Sequence, residues 1–402
     1  MERSRVATQH SPNNPMSSEF IPFHKPAIGE EEIRSVVETL KSGWLTTGPK
    51  VKTFEAEFAS YIGSSHAVAL NSGTAALHLA LEAVGIKSGD EVIVPTMTFT
   101  ATAEVVLYLG ARPVLVDCRT DDLNIDVDRI EAAISNNTKA IIPVHIAGRP
   151  CAMDRILAIA QRHSLRVIED AAHALPASHH GKKVGAIGDI TCFSFYATKT
   201  ITTGEGGMAT TENPEWAKRM RMMSLHGISL DAWDRYTEEG SWYYEVLRPG
   251  YKYNMTDIAA ALGIEQLKRC DDFYHARRRI AEQYNEAFAD LPEIQVPACV
   301  GSDLQHAWHL YILQLDLDRL NIDRRDFIQA LNSRRIGTSV HFIPLHLHPF
   351  YKQTFGCQAS DFPQASTAFE RIVSLPIYPT MTDQNVSDVI AAVRDLVQEY
   401  RR

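Results

Sequence analysis

The chain has 402 residues, of which 45% are hydrophobic and 22% charged, and its 40 Lys and Arg against 49 Asp and Glu leave a net charge of −9. This composition is typical of a globular protein with a large core, and the length predicts roughly two to three domains. It excludes a chain that is disordered throughout, and the lack of a basic stripe argues against a nucleic-acid-binding protein.

The N-terminal segment and the cysteines predict where the protein works. Residues 1–20 are polar and lack the apolar core of a secretory signal, so we expect a disordered tail, within which Met16 is an alternative start. No run of about 18 apolar residues predicts a membrane span. The six cysteines are far apart and form no C-x-x-C pair, which favours a reducing cytoplasm over a zinc or disulfide scaffold.

The first two-thirds of the chain alternates short apolar runs with helical patterns. The runs predict strands at His66–Leu70, Glu91–Pro95, Pro113–Asp117, Ala140–His145, Arg166–Asp170, Ile190–Phe195 and Gly207–Thr210. Helices are predicted at Ala75–Val84, Ala101–Leu109, Val127–Ile134 and Met153–His163. This alternation predicts an α/β fold with a mostly parallel, seven-stranded sheet covered on both faces.

After Tyr253 the pattern changes to that of a smaller α/β domain. The predicted elements are a helical stretch from Thr256 towards Leu291 that breaks near Cys270, strands at His309–Leu315 and Thr338–Phe342, and helices at Arg324–Arg335 and Asp383–Tyr400. We therefore predict a large domain at residues 21–255 and a small C-terminal domain at residues 256–402.

Two nucleotide-binding loops are excluded by their context. The segment Gly43–Lys50 nearly fits a P-loop, but Pro49 breaks the spacing and a helical pattern precedes it where a strand is required. No G-x-G-x-x-G sequence follows a predicted strand, which argues against a dinucleotide enzyme.

Three other segments carry groups that suit a phosphorylated cofactor. Asn71–Thr74 lies between a strand and a helix, where free amides and hydroxyls form a phosphate cradle or an ordinary N-cap. Asp170 ends a strand, facing a ligand crevice or capping a helix. Lys199 follows an apolar strand. It is either a partly buried lysine, whose amine desolvation makes nucleophilic, or an ordinary surface lysine. The glycines of Thr202–Gly207 let the backbone pass close to a bound group.

Taken together, the three segments supply the binding groups that pyridoxal 5′-phosphate requires. Its aldehyde needs a lysine, its pyridine nitrogen needs an acid partner, and its phosphate needs a cradle. A phosphate cradle, a carboxylate and a lysine follow one another along a single predicted parallel sheet.

Five ordered segments resemble the DegT-type sugar aminotransferases, which are fold-type-I pyridoxal phosphate enzymes acting on nucleotide-linked keto sugars. The resemblance runs from about Ile21 to the C-terminal helix. It is carried by Ser42–Pro49, Asn71–Leu77, Glu169–Ala174, Phe193–Lys199 and Thr203–Gly207.

The resemblance implies a role for each matching residue. Lys199 is implied as the Schiff-base lysine and Asp170 as the partner of the pyridine nitrogen. His173 is implied beside the ring hydroxyl, and Phe99 as the aromatic that stacks on the ring. The implied phosphate-side residues are Ser72, Gly73, Thr74 and Ser194. Relatives with histidine in place of this lysine are dehydratases, so Lys199 favours transamination.

One segment departs from the common family pattern. Many members read Gly-Tyr-Asn-Tyr-Arg where this chain reads Gly250-Tyr-Lys-Tyr-Asn254, and in the family this segment reaches the cofactor phosphate of the partner subunit. The variant is similar to members that make UDP-4-amino-4-deoxy-arabinose. By resemblance, either Lys252 or Asn254 could supply this phosphate contact. Asn254 is implied at the cofactor, Lys252 and Thr47 at the substrate, and a homodimer with shared sites is expected.

The late histidines and one aromatic loop leave alternatives open. His306, His309, His341, His346 and His348 fit no zinc spacing, so we expect no metal site, and His341 matches a substrate-side family position. Trp233, Trp242, Tyr243 and Tyr244 stack on a nucleotide base or form a covered loop.

The sequence therefore predicts a cytoplasmic, homodimeric, pyridoxal-phosphate-dependent aminotransferase. By resemblance it moves an amino group from L-glutamate to the C4 keto group of a nucleotide-linked sugar, for cell-surface polysaccharide or lipopolysaccharide synthesis. One alternative is a 3-keto sugar or cyclitol aminotransferase. Another is a non-catalytic regulator on the same fold, against which the intact Lys199 and Asp170 argue.

Overall fold

The computed structural model describes residues 19–229, 243–298, 301 and 303–402. Most of the predicted N-terminal tail lies outside these residues, as do Trp233 and Trp242 of the aromatic loop. Among the described helices, none combines the length and apolar character needed to cross a membrane.

The described strands form one large sheet and two small ones. In chain order they are β1 (His66–Leu70), β2 (Glu91–Pro95), β3 (Arg112–Val116), β4 (Thr138–Ile141), β5 (Arg166–Asp170), β6 (Ser178–His179), β7 (Lys182–Lys183), β8 (Ile190–Ser194), β9 (Gly207–Thr211), β10 (Ile294–Gln295), β11 (Leu304–Gln305), β12 (Tyr311–Leu315) and β13 (Ile372–Leu375). The large sheet has seven strands in the order β1-β9-β8-β5-β4-β2-β3. All its strands run in one direction except β9, which is antiparallel to both neighbours, so the predicted fold is confirmed.

Helices cover both faces of the large sheet. The described α-helices are α1 (Glu30–Ser42), α2 (Pro49–Ile62), α3 (Gly73–Ala83), α4 (Ala101–Tyr108), α5 (Val127–Ile130), α6 (Met153–His163), α7 (Pro214–Ser224), α8 (Asp257–Lys268), α9 (Cys270–Phe288), α10 (Arg324–Ser333), α11 (Pro349–Phe355), α12 (Pro363–Arg371) and α13 (Asp383–Tyr400). Successive strand residues enter different cores, since Val68 packs with α3 whereas Ala67 packs with α2. This two-sided burial explains why the strands read as continuous apolar runs.

One predicted strand was wrong. Of the segment 338–342, only Ser339 forms a bridge, to Ser374 of β13, and the backbone then leaves the sheet. The strand beside β12 is instead β13, which the sequence analysis did not predict. The departing segment carries His341 and Phe342 to the wall of a cavity, so its apolar residues serve a site rather than a sheet.

Two predicted helices end differently from their patterns. The long C-terminal stretch divides at Arg269 into α8 and α9, one residue before the predicted break. The helix predicted at Val127–Ile134 ends at Ile130 and continues as a single 3₁₀ turn. Helices α2, α7, α11 and α12 were not predicted.

The small sheet β10-β12-β13 packs with α9, α10 and α13 around a core of its own. Helix α8 instead contributes Ala260, Ile264 and Leu267 to a core shared with α2 and the large sheet. The boundary between residues 255 and 256 stays a prediction, and the packing of α8 favours a division after Lys268.

Candidate active site

A cavity of about 400 Å³ lies where several parallel strands of the large sheet end. Carboxyl ends of parallel strands meet at one edge of a sheet, so the residues after β1, β2, β5 and β8 converge there. The small domain closes the cavity with His309, His341 and Ile377. Nine predicted site residues line it: Ser72, Gly73, Thr74, Phe99, Asp170, His173, Ser194, Lys199 and His341.

Asp170 is held in a fixed orientation at the end of β5. Its Oδ2 accepts a hydrogen bond from Thr102 Oγ1 at 2.8 Å, and its Oδ1 accepts one from the Ala172 amide at 3.1 Å. Burial raises the pKa of Asp170, and the two hydrogen bonds and the nearby Lys199 only partly offset that effect. The carboxylate would therefore gain from a further proton donor or cation in the cavity.

The neighbouring Glu169 has a different task. Its carboxylate accepts hydrogen bonds from His145 Nε2 at 2.9 Å, from Thr191 Oγ1 at 2.7 Å and from the Gly188 amide at 2.7 Å. Burial opposes ionisation, but these hydrogen bonds outweigh it and lower the pKa of Glu169. Glu169 is thus a structural residue below the sheet edge, whereas Asp170 faces the cavity.

Lys199 lies on a loop that closes at its base. The Phe195 amide donates to Gly206 O at 2.8 Å, and Phe195 O accepts from the Thr203 amide at 3.0 Å. Burial lowers the pKa of Lys199 to about 8, although the Asp170 carboxylate acts in the opposite direction. About a tenth of this amine is therefore neutral, and nucleophilic, at pH 7, far more than for an ordinary lysine.

The N-terminus of α3 forms a close-packed cradle beside Ser194. Ser72 is the N-cap of α3, since its Oγ accepts a hydrogen bond from the Ala75 amide at 3.0 Å. For this residue the predicted alternative of an ordinary N-cap is therefore present. A Cβ on Gly73 would lie 2.9 Å from Ser194 Cβ, so a glycine is required there. The first-turn amides of a helix have no partner within it, which makes this end an anion site.

Gly207 keeps β9 in close contact with the cradle. A Cβ at this position would lie 2.3 Å from the Ser72 carbonyl oxygen. The glycine-rich segment therefore permits a close approach, as predicted, but the group approached is the backbone of the cradle.

Histidines form part of the cavity wall. The His173 and His309 ring centroids are 4.4 Å apart, and His173 stacks on Phe342 at 5.7 Å. Nδ1 of each of these two histidines is buried without a hydrogen-bond partner in the structure. Burial, helped by the positive charge of Lys199, lowers the pKa of both well below the ordinary value, so they are neutral at pH 7.

His341 and Phe99 flank the mouth of the cavity. His341 Nδ1 lies 2.9 Å from Ser374 Oγ, and burial lowers the pKa of His341 to about 4, with a smaller contribution from Lys199. The Phe99 side chain is 58% exposed although it lines the cavity, and its ring lies 6.0 Å from that of Phe342. A planar ligand can therefore pack against its free face.

The structure does not bring Thr47, Lys252 and Asn254 to this cavity. Asn254 Nδ2 donates to Thr47 Oγ1 at 2.7 Å, and both residues line a separate pocket of about 60 Å³. The Lys252 carbonyl accepts a hydrogen bond from Asn71 Nδ2 at 3.2 Å, and Lys252 is exposed.

The remaining late histidines lie away from the cavity. His306 stacks on Trp308 at 4.1 Å, and His346 is buried between Thr96 and Ser366. His348 precedes α11 as its N-cap residue. Tyr243 and Tyr244 are exposed, and neither lines the cavity.

Sequence reasoning missed a buried arginine behind the cavity wall. Arg277 is fully buried, and its Nη1 donates to His309 O at 3.2 Å and to Ile377 O at 2.6 Å. It thereby fixes the backbone of two cavity residues. The sequence could not single out Arg277 from the arginines at 278 and 279. All three are the same residue type, and only their side of α9 decides which one is buried.

The residues of this cavity fit pyridoxal phosphate. Lys199 offers an amine with a lowered pKa, Asp170 a buried carboxylate, and the α3 cradle an anion site. The unpartnered His173 Nδ1 is a polar atom that a polar group of a bound ring could satisfy.

Comparison with known proteins connects this geometry to a family. Residues 26–394 match the DegT/DnrJ/EryC1/StrS aminotransferase family. The chain is 56% identical over 382 residues to the uncharacterized protein MJ1066 of Methanocaldococcus jannaschii, covering 95% of this chain and 99% of that protein. It is 53% identical over 380 residues to the spore coat polysaccharide biosynthesis protein SpsC of Bacillus subtilis, covering 94% and 97%.

Solved structures share the whole architecture. Spr1654 from Streptococcus pneumoniae in its PLP form has a TM-score of 0.88 and 37% identity, covering 94% of this chain and 99% of that one. Helicobacter pylori PseC, an aminotransferase involved in the biosynthesis of pseudoaminic acid, has a TM-score of 0.88 and 28% identity, covering 95% and 100%.

Proposed function

Because the chain belongs to the DegT/DnrJ/EryC1/StrS aminotransferase family, we propose that it transfers an amino group from L-glutamate to the C4 keto group of a nucleotide-linked sugar. It is a sugar aminotransferase, and its cofactor is pyridoxal 5′-phosphate. The observation that carries the proposal is the convergence of Lys199 and Asp170 on one cavity, with the pKa of the lysine lowered to about 8.

The chain's own residues have distinct tasks in this reaction. When bound, pyridoxal phosphate supplies an electron sink for the carbon that loses its proton. Asp170 keeps a proton on the pyridine nitrogen, because a buried carboxylate is stabilised by a cation beside it. Lys199 Nζ would hold the cofactor and, once released, would move a proton between C4′ of the cofactor and the substrate carbon, since it already lies within the cavity. The α3 N-terminus and Ser194 hold the phosphate.

The nucleotide-linked substrate is recognised by neutral groups on this chain. Among the described residues that line the cavity, Lys199 is the only lysine or arginine. His341 is neutral at pH 7, so it acts on a diphosphate as a hydrogen-bond donor through Nε2 while Nδ1 pairs with Ser374. A net charge of −9 gives no long-range attraction for such a substrate, and salt screens charges over about 8 Å.

We further propose a homodimer in which the segment carrying Lys252 and Asn254 completes the partner's site. The scarcity of cations in the cavity supports this, because Lys199 is assigned to the cofactor aldehyde and the described lining offers no other lysine or arginine to the phosphate. Helix α1 also presents Ile33, Val37 and Leu40 on one side, exposed by 49%, 40% and 51%. An apolar stripe of this spacing on a surface helix is typical of an interface.

The biological setting is a cell-surface polysaccharide or lipopolysaccharide pathway in the cytoplasm. The identity to SpsC, named for spore coat polysaccharide biosynthesis, supports the first of these routes. The cysteines within the described residues are free thiols, which suits a reducing compartment.

A substrate screen tests the function. Purified protein loaded with pyridoxal phosphate is incubated with glutamate and UDP-, GDP- or dTDP-linked sugars that carry a ketone at C4 or at C3. Mass spectrometry detects the amino sugar, and NMR locates the amino group. An amine at C4 is the expected result. An amine at C3 overturns the regiochemistry, and conversion of free cyclitol ketones alone overturns the nucleotide-sugar assignment.

A further inference from the structure

Two histidines and an aspartate meet outside the cavity described above. His180 Nε2 lies 3.0 Å from Asp154 Oδ2, and His179 Nδ1 lies 3.8 Å from Asp154 Oδ1. One donor atom of each of the three residues lies within 4.8 Å of the other two. None of the three lines the 400 Å³ cavity, so this cluster is independent of the proposed function.

The backbone explains how adjacent histidines reach one carboxylate. Successive side chains of a strand point to opposite faces, so a histidine that continued β6 beyond His179 would normally point away from it. The chain turns at His180-Gly181, with φ of 48° and 75°, before β7 begins. The two imidazole rings therefore lie at 84° to each other with centroids 4.4 Å apart, both beside Asp154.

His180 has an uncommon backbone conformation at this turn, with a positive φ. Positive φ at both central positions is typical of a two-residue hairpin, for which Asn-Gly is strongly preferred. A histidine adopts this conformation at a higher conformational energy than asparagine or glycine. Residues held in such sparsely populated backbone regions cluster at functional sites.

The cluster is held by three separate parts of the chain. Strand β6 pairs with β7 on one side and with β11 on the other, and the His180 amide donates to Asp303 O at 2.7 Å. Asp154 lies in the first turn of α6. His179 is 8% exposed, whereas the side chains of His180 and Asp154 are 55% and 68% exposed, so one side of the cluster is open to solvent.

We propose that Asp154, His179 and His180 bind a divalent transition-metal ion of the zinc class, with solvent as the fourth ligand. Imidazole nitrogens and a carboxylate are ligands that zinc prefers. With bonds of about 2.0–2.1 Å, donor atoms of a tetrahedral site are roughly 3.3 Å apart. Each histidine lies near a different oxygen of Asp154, at 3.0 Å from Oδ2 and at 3.8 Å from Oδ1, so both separations are close to this value. The bound ion would fasten the β6–β7 hairpin to α6. This site departs from the sequence-based expectation of no metal site, which considered only the late histidines.

Metal binding to the intact holoenzyme tests the proposal. The untagged protein, loaded with pyridoxal phosphate and freed of metal by chelator and desalting, is dialysed against Zn²⁺ and its zinc content is measured. Wild type should retain one zinc per chain, and His179→Gln and His180→Asn should each bind at least tenfold more weakly. Co²⁺ should give the visible absorption of a tetrahedral site in wild type alone. The site would be disproved by equal zinc affinity in wild type and both variants, or by no binding to wild type.

Two controls separate a metal site from an ion pair. His163 Nε2 lies 3.1 Å from Glu131 Oε1, which reproduces an exposed histidine–carboxylate pair without a second histidine, so His163→Gln should bind zinc like wild type. Asparagine suits the hairpin turn, so His180→Asn should fold and should melt without metal at or above the wild-type Tm. Zinc should raise the Tm of wild type and leave that of His180→Asn unchanged. A zinc-induced rise of equal size in both proteins would contradict the proposal.

Discussion

Asp170, at the end of β5, and Lys199, on the loop that follows the neighbouring parallel strand β8, face one cavity and act on each other's protonation. Burial raises the pKa of Asp170 and lowers that of Lys199 to about 8, while each charge partly opposes the shift of the other. The pair leaves a carboxylate that gains from a nearby cation and an amine that is partly neutral near pH 7. Pyridoxal phosphate needs both groups in these states.

The identity of the cofactor lysine can be tested by chemical labelling. Borohydride reduction of the holoenzyme followed by peptide mapping should place the cofactor on Lys199, and Lys199→Ala should remove the label. Lys183 is a matched control, because burial also lowers its pKa although it lies outside the cavity and donates to Tyr61 O at 2.7 Å. Lys183→Ala should label like wild type. A label on any other lysine would refute the assignment.

Asp170→Asn should reduce turnover by about 100-fold or more, because the variant keeps the size of the side chain and loses the charge. A factor of 10² corresponds to about 2.7 kcal/mol of transition-state stabilisation. Steady-state kinetics with saturating cofactor measure it. Glu169→Gln is the matched control, because it breaks a buried network with His145. It should lower Tm and change kcat little. A turnover of Asp170→Asn within a few-fold of wild type would rule out the role.

The capture of pyridoxal phosphate by the apoprotein should depend on pH with a midpoint near 8. The neutral amine of Lys199 is the reactive form, so the capture rate should fall about tenfold per pH unit below the midpoint and level off above it. In Asp170→Asn the midpoint should move to lower pH, because the charge that raises the pKa of Lys199 is lost. Stopped-flow absorbance follows the capture. A midpoint near the ordinary lysine value of 10.5 would contradict the lowered pKa.

Subunit complementation tests the shared site. If Lys199→Ala and Asn254→Ala are each inactive, mixing them under conditions of subunit exchange should restore part of the activity, since one site of each mixed dimer contains both native residues. Native mass spectrometry confirms that mixed dimers form. Mixed dimers without activity would exclude a shared site. The hydrogen bond from Asn254 to Thr47 would then be its structural role.

His341→Ala should raise KM for the sugar nucleotide and leave the glutamate half-reaction nearly unchanged, because glutamate carries no diphosphate. The neutral His341 gives a hydrogen bond rather than a charge, so the KM effect should vary little between pH 6 and 8, well above its pKa of about 4. Ser374→Ala removes the partner of Nδ1 and should give a smaller effect in the same direction. Equal slowing of both half-reactions would assign His341 to the cofactor or to the structure.

The sequence by itself determined the sheet and the order of the cofactor groups. The runs at β1, β2 and β5 have the predicted bounds because strands buried on both faces must be apolar throughout. The turn after β1, Asp170 and Lys199 could be placed at one edge because parallel strands end together. These features depend on local pattern and direction, which a sequence contains.

Only the tertiary structure decided which distant residues meet. It turned the predicted strand at 338–342 into a wall carrying His341, buried Arg277 behind that wall, and joined His179 and His180 to Asp154. It also placed Thr47 and Asn254 outside the chain's own cavity. Local periodicity cannot specify these contacts, because they depend on strand order and on how the small domain packs against the large sheet.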